Sequence, residues 1–253
     1  MLKKLNVQNT APTQQFTKDS LMKNYVVCLK WGDKYSAEYV NVLANMVSRN
    51  TTVPYEFVCF TDNSNGIQQG VRVLPVPKLP VTGWWYKPYF FSPQLPIKGN
   101  ILYFDLDVII FRNIDKLFTY NPDKFCIIRD FNRHIRQDWK KMNSSVWRMK
   151  SGTQDHVWTN FERDNFVVTK RLHGDQDWIY SQVRDNFCFW PDEWIQSYKW
   201  EMRNKPPMSR INGVRNFNVP GEPIIKPETS VAVFHGEPHP HNSVDQWCKD
   251  NWK

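Results

Sequence analysis

The sequence predicts an α/β protein in which helices flank a mainly parallel central sheet within a single domain. Short apolar runs typical of buried strands alternate with helical patterns through the first half of the chain, and this order produces parallel sheets. The chain has 253 residues, of which 41% are hydrophobic, enough for one large core. Ligands of such sheets bind beyond the carboxyl ends of the strands, so strand ends are where functional residues are expected.

The first elements show the alternation directly. Residues 25–29 (YVVCL) are a short apolar run that a glycine turn stops, which predicts a buried strand. Asp33 is a suitable N-cap for a helix over 34–49, whose apolar residues fall on one face. Residues 55–60 and 71–76 have the composition of two further strands.

The middle of the chain adds one aromatic segment and more strands. Residues 84–95 (WWYKPYFFSPQL) predict a short helix that begins near the Lys-Pro pair. Apolar runs predict strands at 101–104, 108–111, 125–128 and 145–149.

The last third of the chain mixes element types. Helices are predicted at 154–164 and 175–185, followed by a long loop at 203–227 that is rich in Pro, Gly, Asn and Arg. A final strand at 230–234 and a C-terminal helix at 243–251 close the chain.

The N-terminal segment differs from the rest in composition. Residues 1–23 are polar and contain no apolar run of the kind found in signal peptides. We therefore expect a flexible tail or leader over 1–23, one domain over 24–253 and a cytoplasmic location, with peripheral membrane attachment left open. No apolar run reaches 18 residues, so no transmembrane segment is expected.

The cysteine pattern predicts neither a disulfide framework nor a zinc site. The five cysteines are widely spaced, odd in number and include no CxxC pair. Three of them, Cys28, Cys59 and Cys126, sit inside apolar strand-like runs, where a thiol serves as a small core side chain.

The net charge of +8 raises the question of nucleic-acid binding. The basic residues are scattered and form no long Lys/Arg block and no recognisable nucleic-acid motif. No nucleic-acid partner is therefore expected. A moderately positive chain also suits an enzyme that handles a polyphosphate.

The clearest chemical signal is a pair of aspartates at a strand end. Asp105 and Asp107 flank one leucine directly after the apolar run 101–104. Two acids buried there would repel each other and lose hydration, whereas Mg²⁺ or Mn²⁺ prefers carboxylate and phosphate oxygens as ligands. The pair predicts a divalent-cation site, and capping plus an ordinary salt bridge is the alternative.

Two further segments lie at predicted element ends. His235 and Gly236 follow the last strand, where the histidine could be a third cation ligand and the glycine permits close backbone approach. Asp175, Gln176 and Asp177 open a helix, whose N-terminus offers free N–H groups. Capping alone explains Asp175 and leaves the next two residues unexplained.

These motifs occur together in one order: YVVCLKWG, FVCFTDN, YKPYF, ILYFDLDVII, NSSVWRM, GDQDWI and FHGEPHPH. In this arrangement the sequence resembles the GT-A fold glycosyltransferases, and most closely the retaining family-8-like group that includes glycogenin and bacterial lipopolysaccharide galactosyltransferases. The GT-A fold is a Rossmann-like arrangement with a mainly parallel sheet, as expected from the residue pattern.

The resemblance implies a role for each matching position. Metal ligands would be Asp105, Asp107 and His235, holding Mn²⁺ or Mg²⁺. Catalytic candidates near the sugar are Asp175, Gln176 and Asp177. Donor contacts would be made by Leu29, Lys30, Trp31, Tyr35, Asp62, Lys87, Asp105, Asn143, Ser144, Gly236 and His239.

The sequence departs from the family pattern at three places. Ser145 stands where an Asn-Ser-Gly-Val motif usually has glycine. An alignment on Gly236 puts Val233 at the usual metal-histidine position and His235 two residues later, on the same face of the strand. The same alignment puts His239 where a phosphate-binding lysine is usual.

The resemblance implies a metal-dependent transfer of a sugar from a nucleotide-diphospho-sugar, with UDP favoured, to an acceptor hydroxyl with retention of configuration. The acceptor would be a saccharide, a lipid-linked saccharide or a protein. Residues 190–227, with Arg203, Lys205, Arg210 and Arg215, are either an acceptor-recognition segment or a solvated basic loop.

Two other function classes remain as alternatives. A non-catalytic carbohydrate-binding protein would use some of the twelve tryptophans for sugar stacking, although core packing is their ordinary role. A metal-dependent phosphohydrolase would also need acidic pairs, but the chain has no Gly-rich phosphate loop.

Overall fold

A computed structural model describes residues 22–183, 185–203 and 216–253. The tail predicted over 1–23 and the basic residues Lys205, Arg210 and Arg215 therefore lie wholly or mostly outside the described residues. The strands are β1 (Asn24–Lys30), β2 (Glu56–Thr61), β3 (Arg72–Pro75), β4 (Asn100–Phe104), β5 (Val108–Ile110), β6 (Phe125–Arg129), β7 (Met142–Lys150), β8 (Phe187–Phe189), β9 (Ile195–Ser197) and β10 (Val231–Val233). The α-helices are α1 (Ala37–Asn50), α2 (Asp115–Thr119), α3 (Asp155–Arg171), α4 (Asp175–Gln182) and α5 (Gln246–Asn251).

The described strands form a seven-stranded sheet in the order β3-β2-β1-β4-β7-β6-β8 and a small sheet in the order β5-β10-β9. In the large sheet β3, β2, β1 and β4 run parallel, and β6 runs parallel to β8. Strand β7 alone is antiparallel to its two neighbours, β4 and β6. The mainly parallel α/β sheet of a single domain is confirmed.

The reversed direction of β7 decides which of its residues reach the functional edge. Val146 of β7 pairs with Phe104 at the carboxyl end of β4, and the backbone N–H of Asp105 donates to the Ser145 carbonyl at 2.8 Å. The beginning of β7 therefore lies beside the end of β4. This brings Asn143 and Ser144 next to the aspartate pair.

Hydrophobic cores lie on both faces of the large sheet, as its alternating side chains require. On β1, Val26 and Cys28 pack in the core that contains α1. Their neighbours Tyr25 and Val27 pack in the opposite core, which contains the helical turn Gly83–Phe91 and helices α3 and α4. Helices thus cover both faces, as expected.

Several elements differ from the sequence prediction. The segment predicted as a helix over 84–95 is helical at Gly83–Phe91, but it is a 3₁₀ turn that begins before the Lys-Pro pair and contains the proline. The strand predicted at 230–234 belongs to the smaller sheet, and the sequence did not predict this second sheet. It also did not predict α2, β8 and β9. Each of these unpredicted strands and helices has at most five residues, too few to show a period.

The assignment of Arg203 to a solvated or acceptor-facing basic loop is wrong. Its side chain is fully buried and its guanidinium lies 3.0 Å from the carboxylate of Asp245, which is equally buried. The hydroxyl of Tyr198 also donates to Asp245 at 2.6 Å. A buried guanidinium with its own counterion is a structural feature.

In the part of the chain that the structure describes, no helix has both the length and the apolar composition that crossing a membrane requires.

Candidate active site

A cavity of about 530 Å³ opens at the carboxyl edge of the parallel strands. It lies among the ends of β1 and β4, the beginnings of β7 and α4, the 3₁₀ turn and the segment after β10. The predicted site residues that line it are Leu29, Trp31, Tyr35, Lys87, Asp105, Asp107, Asn143, Ser144, Asp175, Gln176, His235 and Gly236. One cavity therefore collects residues that are far apart in the sequence.

A buried ion cluster forms one side of this cavity. The ammonium of Lys87 lies 2.8 Å from Oδ1 of Asp105 and 3.5 Å from Oδ2 of Asp175. Lys87 also donates to the hydroxyl of Ser144 at 3.2 Å, and that hydroxyl donates to Asp175 at 2.6 Å. Tyr103 donates to Asp105 at 2.8 Å. The cluster joins the turn, β4, β7 and α4.

Burial and charge act in opposite directions on these groups. Burial by itself lowers the pKa of Lys87, but the charges of Asp105 and Asp175 outweigh it, so its pKa is raised. Burial raises the pKa of Asp175, and the charge of Lys87 opposes that effect. Lys87 is therefore cationic at neutral pH and holds the two carboxylates in fixed positions.

Asp107 lies beside this cluster and has mostly neutral partners. Its Oδ2 accepts hydrogen bonds from the Tyr35 hydroxyl at 3.1 Å and from the Gly236 N–H at 3.4 Å. Burial raises the pKa of Asp107, and the negative charge of Asp105 raises it further. Burial also raises the pKa of Tyr35, so its hydroxyl remains a donor. The carboxylate of Asp107 is thus left without a full counter-charge.

The balance of acidic and basic side chains in the cavity fits a divalent cation. Three carboxyl groups, those of Asp105, Asp107 and Asp175, line the cavity, and the single ammonium of Lys87 contacts two of them. Among the described residues no group of three or more His, Cys, Asp and Glu side chains is arranged to hold a metal. The pair Asp105 and Asp107 could supply part of a shell, which Mg²⁺ commonly completes with phosphate oxygens and water.

The two histidines after β10 take different positions. His235 lines the cavity, but its Nε2 shares a hydrogen bond with the Ser197 hydroxyl at 2.6 Å and its ring stacks on Phe131. His239 does not line the cavity. Its Nδ1 lies 3.9 Å from Oδ2 of Asp107 and has no hydrogen-bond partner within the described ranges. Burial lowers the pKa of His239, which favours the neutral ring at pH 7.

Amide and hydroxyl groups occupy the side of the cavity formed by β7 and α4. The Asn143 side chain accepts from the Ser145 N–H at 3.0 Å and contacts the Gln176 amide oxygen at 3.5 Å. Asp177 does not line the cavity, although it was predicted with Asp175 and Gln176. Its position one residue further along α4 turns it away from the cluster. Only the first two residues of the helix therefore face the cavity.

The side formed by the end of β1 is aromatic. Trp31 lines the cavity and stacks on Tyr86 with ring centroids 5.7 Å apart. Two predicted donor contacts, Lys30 and Asp62, are absent from the cavity lining. Lys30 is buried, and the exposed carboxylate of Asp62 accepts from the Gly32 N–H at 3.1 and 3.2 Å. Asp62 therefore supports the loop that carries Trp31.

Sequence reasoning missed several lining residues, including Gly32, Lys34, Thr82, Gly83 and Tyr103. Tyr103 could have been found from strand alternation, because it lies two residues before Asp105 on the same side of the chain. The others lie in loops or, for Gly83, at the start of the 3₁₀ turn, and have no distinguishing sequence pattern.

No protein-family model and no curated protein matches the sequence. Solved structures with a similar fold include an active-site mutant of LgtC, with a TM-score of 0.59 and 13% identity over 89% of this chain and 93% of that one. The galactosyltransferase LgtC in complex with donor and acceptor sugar analogues has a TM-score of 0.58 and 14% identity over the same shares of the two chains. The glycosyltransferase GlyE of Streptococcus pneumoniae has a TM-score of 0.57 and 13% identity over 90% of this chain and 60% of that one. The chain has the GT-A fold of these glycosyltransferases.

Proposed function

We propose that the protein is a glycosyltransferase that moves a sugar from a nucleotide-diphospho-sugar, with UDP as the favoured nucleotide, to an acceptor hydroxyl. The observation that carries the proposal is one cavity that combines the Asp105 and Asp107 pair with Asp175 and Gln176. It lies at the strand edge where α/β sheets bind ligands. LgtC, which has a similar fold, binds donor and acceptor sugar analogues.

The aromatic side of the cavity would hold the nucleoside. Leu29 and Trp31 offer apolar surface at the end of β1, and Tyr35 closes the cavity beside Asp107. Stacking of a nucleic-acid base on an aromatic side chain contributes about 1–3 kcal/mol. This side offers the flat apolar surface that a base needs.

The Asp105 and Asp107 pair would hold a divalent cation, Mn²⁺ or Mg²⁺, at the diphosphate. The bound cation would supply stabilisation of the charge that develops on the leaving diphosphate. Lys87 keeps Asp105 in place, and Tyr35 and the Gly236 N–H keep Asp107 in place. His235 lines the same cavity and His239 Nδ1 lies 3.9 Å from Oδ2 of Asp107, so each is a candidate for contact with the cation or the phosphates.

The polar side of the cavity would hold the transferred sugar. Asn143, Asp175 and Gln176 present amide and carboxylate groups that can bind sugar hydroxyls. In the proposed reaction the bond from the anomeric carbon to the diphosphate breaks, and a bond to the acceptor oxygen forms on the same face. The acceptor proton passes to the departing phosphate, so retention needs no protein nucleophile.

The experiment is a turnover assay with UDP-glucose, UDP-galactose and their N-acetyl forms, each with and without Mn²⁺, against saccharide acceptors. We expect Mn²⁺-dependent UDP release with at least one donor, and an α-linked product from an α-linked donor in the NMR spectrum. A product of inverted configuration would overturn only the proposed retention and would leave the proposed sugar transfer in place. Absence of UDP release, together with binding of free sugars without nucleotide or metal, would replace the proposal with a carbohydrate-binding function.

A further inference from the structure

Two thiols meet on neighbouring strands outside the cavity. Cys126 of β6 pairs with Cys188 of β8 in parallel register, and their Sγ atoms lie 3.0 Å apart. Paired residues of adjacent strands are about 4.8 Å apart and project to the same face. That spacing lies within the Cα separation that a disulfide requires, about 4.4–6.8 Å. The backbone therefore already places both sulfur atoms within bonding reach.

A buried cation lies against this pair. Arg148 of β7 is fully buried, and its Nη2 lies 2.9 Å from the sulfur of Cys126. The same guanidinium donates to the backbone carbonyls of Asn121 and Pro122 at 2.8 Å. Within the described residues it forms no salt bridge with a carboxylate. Because a buried charge is costly without a counter-charge, a thiolate of this pair is the anion that Arg148 would stabilise.

The two thiols differ in access. Cys126 is fully buried, whereas Cys188 is partly exposed on the edge strand β8. The Asn121 amide donates to the Cys188 sulfur at 3.6 Å. The hydrogen bond from Cys126, with Asn121, Arg148 and Lys124 adding to it, lowers the pKa of Cys188 to about 7. Cys188 therefore carries the reactive thiolate, which is the nucleophilic form of cysteine.

We propose that Cys126 and Cys188 are a redox-active dithiol that closes to an intramolecular disulfide on reaction with a peroxide. The Cys188 thiolate attacks a peroxide oxygen, the O–O bond breaks, and a sulfenic acid and hydroxide form. The Cys126 sulfur then attacks the sulfur of Cys188, and the S–S bond forms as the sulfenic oxygen leaves as hydroxide. The proton of the Cys126 thiol and one from solvent convert the two hydroxides to water, so two thiols are oxidised and one peroxide is reduced.

The chain contains a matched internal control. Cys28 of β1 and Cys59 of β2 are also paired in parallel register, but both are fully buried in central strands. Burial raises the pKa of Cys28. Pairing on adjacent strands is common to both pairs, whereas only the pair on β6 and β8 combines a partly exposed thiol, that of Cys188, with a guanidinium contact, made by Cys126. The second pair should therefore stay reduced in the folded protein.

The test treats the folded full chain with hydrogen peroxide, alkylates the remaining thiols after unfolding, and maps disulfides by peptide mass spectrometry. We expect a Cys126–Cys188 cross-link that dithiothreitol reverses, while Cys28 and Cys59 are recovered alkylated. Before oxidation, Cys188 should react with iodoacetamide at neutral pH on the order of tenfold faster than an unperturbed cysteine.

Two serine variants supply the controls, because Cys→Ser changes one atom. Cys188→Ser should show no disulfide and no rapidly alkylated thiol. Cys126→Ser should instead accumulate a sulfenic acid at Cys188, which dimedone traps. The proposal is overturned if the folded wild-type protein forms no Cys126–Cys188 disulfide, or if Cys28 and Cys59 cross-link at the same rate.

Discussion

The cavity has two sides that are built in different ways. The charged wall, which consists of Lys87, Asp105, Ser144 and Asp175, joins four separate elements through ion pairs and short hydrogen bonds. The aromatic wall, formed by Leu29, Trp31 and Tyr35, comes from one continuous segment that begins at the end of β1. Its main supports are the stacking of Trp31 on Tyr86 and the anchoring of a glycine by a surface carboxylate.

Function and folding are coupled more tightly in the charged wall than in the aromatic wall. A substitution in the charged wall removes a partner from a buried network, so it should lower both stability and turnover. A substitution in the aromatic wall changes one contact surface, so it should alter substrate affinity and leave the fold intact. Four sets of substitutions distinguish these two behaviours.

The largest effect is expected for Lys87→Met. The substitution leaves Asp105 and Asp175 buried without their shared cation, and such a loss typically costs about 3–5 kcal/mol of stability. Urea denaturation measures the change. Lys34→Met is the matched control, since Lys34 lines the same cavity but is exposed, and it should change stability by about 0.5 kcal/mol at most. Equal stability of the two variants would contradict a structural role for the charged wall.

The next effect separates two neighbouring acids of α4. Asp175→Asn should lower kcat by about 100- to 1000-fold, because it removes a carboxylate that Lys87 and Ser144 hold in the cavity. Asp177→Asn should lower kcat less than about threefold, because Asp177 lies outside the cavity lining. Steady-state kinetics with the best donor distinguishes them. A larger loss for Asp177→Asn would show that the catalytic residues lie elsewhere on α4.

A smaller effect should distinguish the donor and acceptor ends of the cavity. Trp31→Ala should raise KM for the nucleotide-sugar about 10- to 100-fold, since base stacking contributes about 1–3 kcal/mol. Trp84 also lines the cavity, but it is half-exposed at its mouth. Trp84→Ala should therefore raise KM for the acceptor and leave KM for the donor unchanged. If Trp31→Ala raised KM for the acceptor and Trp84→Ala raised KM for the donor, the donor and acceptor ends of the cavity would be exchanged.

The smallest effect is expected for Asp62→Asn. The amide oxygen can still accept from the Gly32 N–H, but the bond loses its charged acceptor, which is worth about 1 kcal/mol. We expect donor KM to rise less than about fivefold with kcat unchanged. A loss of kcat as large as that of Asp175→Asn would place Asp62 in the cavity itself.

The sequence was informative where one short segment carries the whole signal. The acids at the end of β4 follow an apolar run directly, so their position at the functional edge was predictable from strand order. The contacts of Lys87 with Asp175 were not predictable, because they bring together residues from a turn and a helix far apart in the chain. Likewise, the basic segment around Arg203 predicts a solvated side chain, because the sequence does not reveal its buried partner Asp245.

The second sheet shows the same limit in the fold. Its strands have three residues each. Apolar runs predicted β5 and β10 as strands, but not their pairing with each other and with β9 in a separate sheet. The antiparallel direction of β7 is also a tertiary property, yet it decides that Asn143 and Ser144 face the cavity. Family resemblance had placed both residues among the donor contacts.

The most direct measurement of the central claim is thermal melting of the wild type and Asp107→Asn with Mn²⁺, UDP or both. Wild type should shift by on the order of 5–10 °C at saturating ligand and only when both are present. The variant should lose this shift. Without ligands the variant should melt slightly higher, since burial raises the pKa of Asp107 and its charge therefore opposes folding at pH 7. An equal shift in both proteins, or a UDP shift that needs no metal, would contradict the assignment of Asp105 and Asp107 to a cation-bound nucleotide.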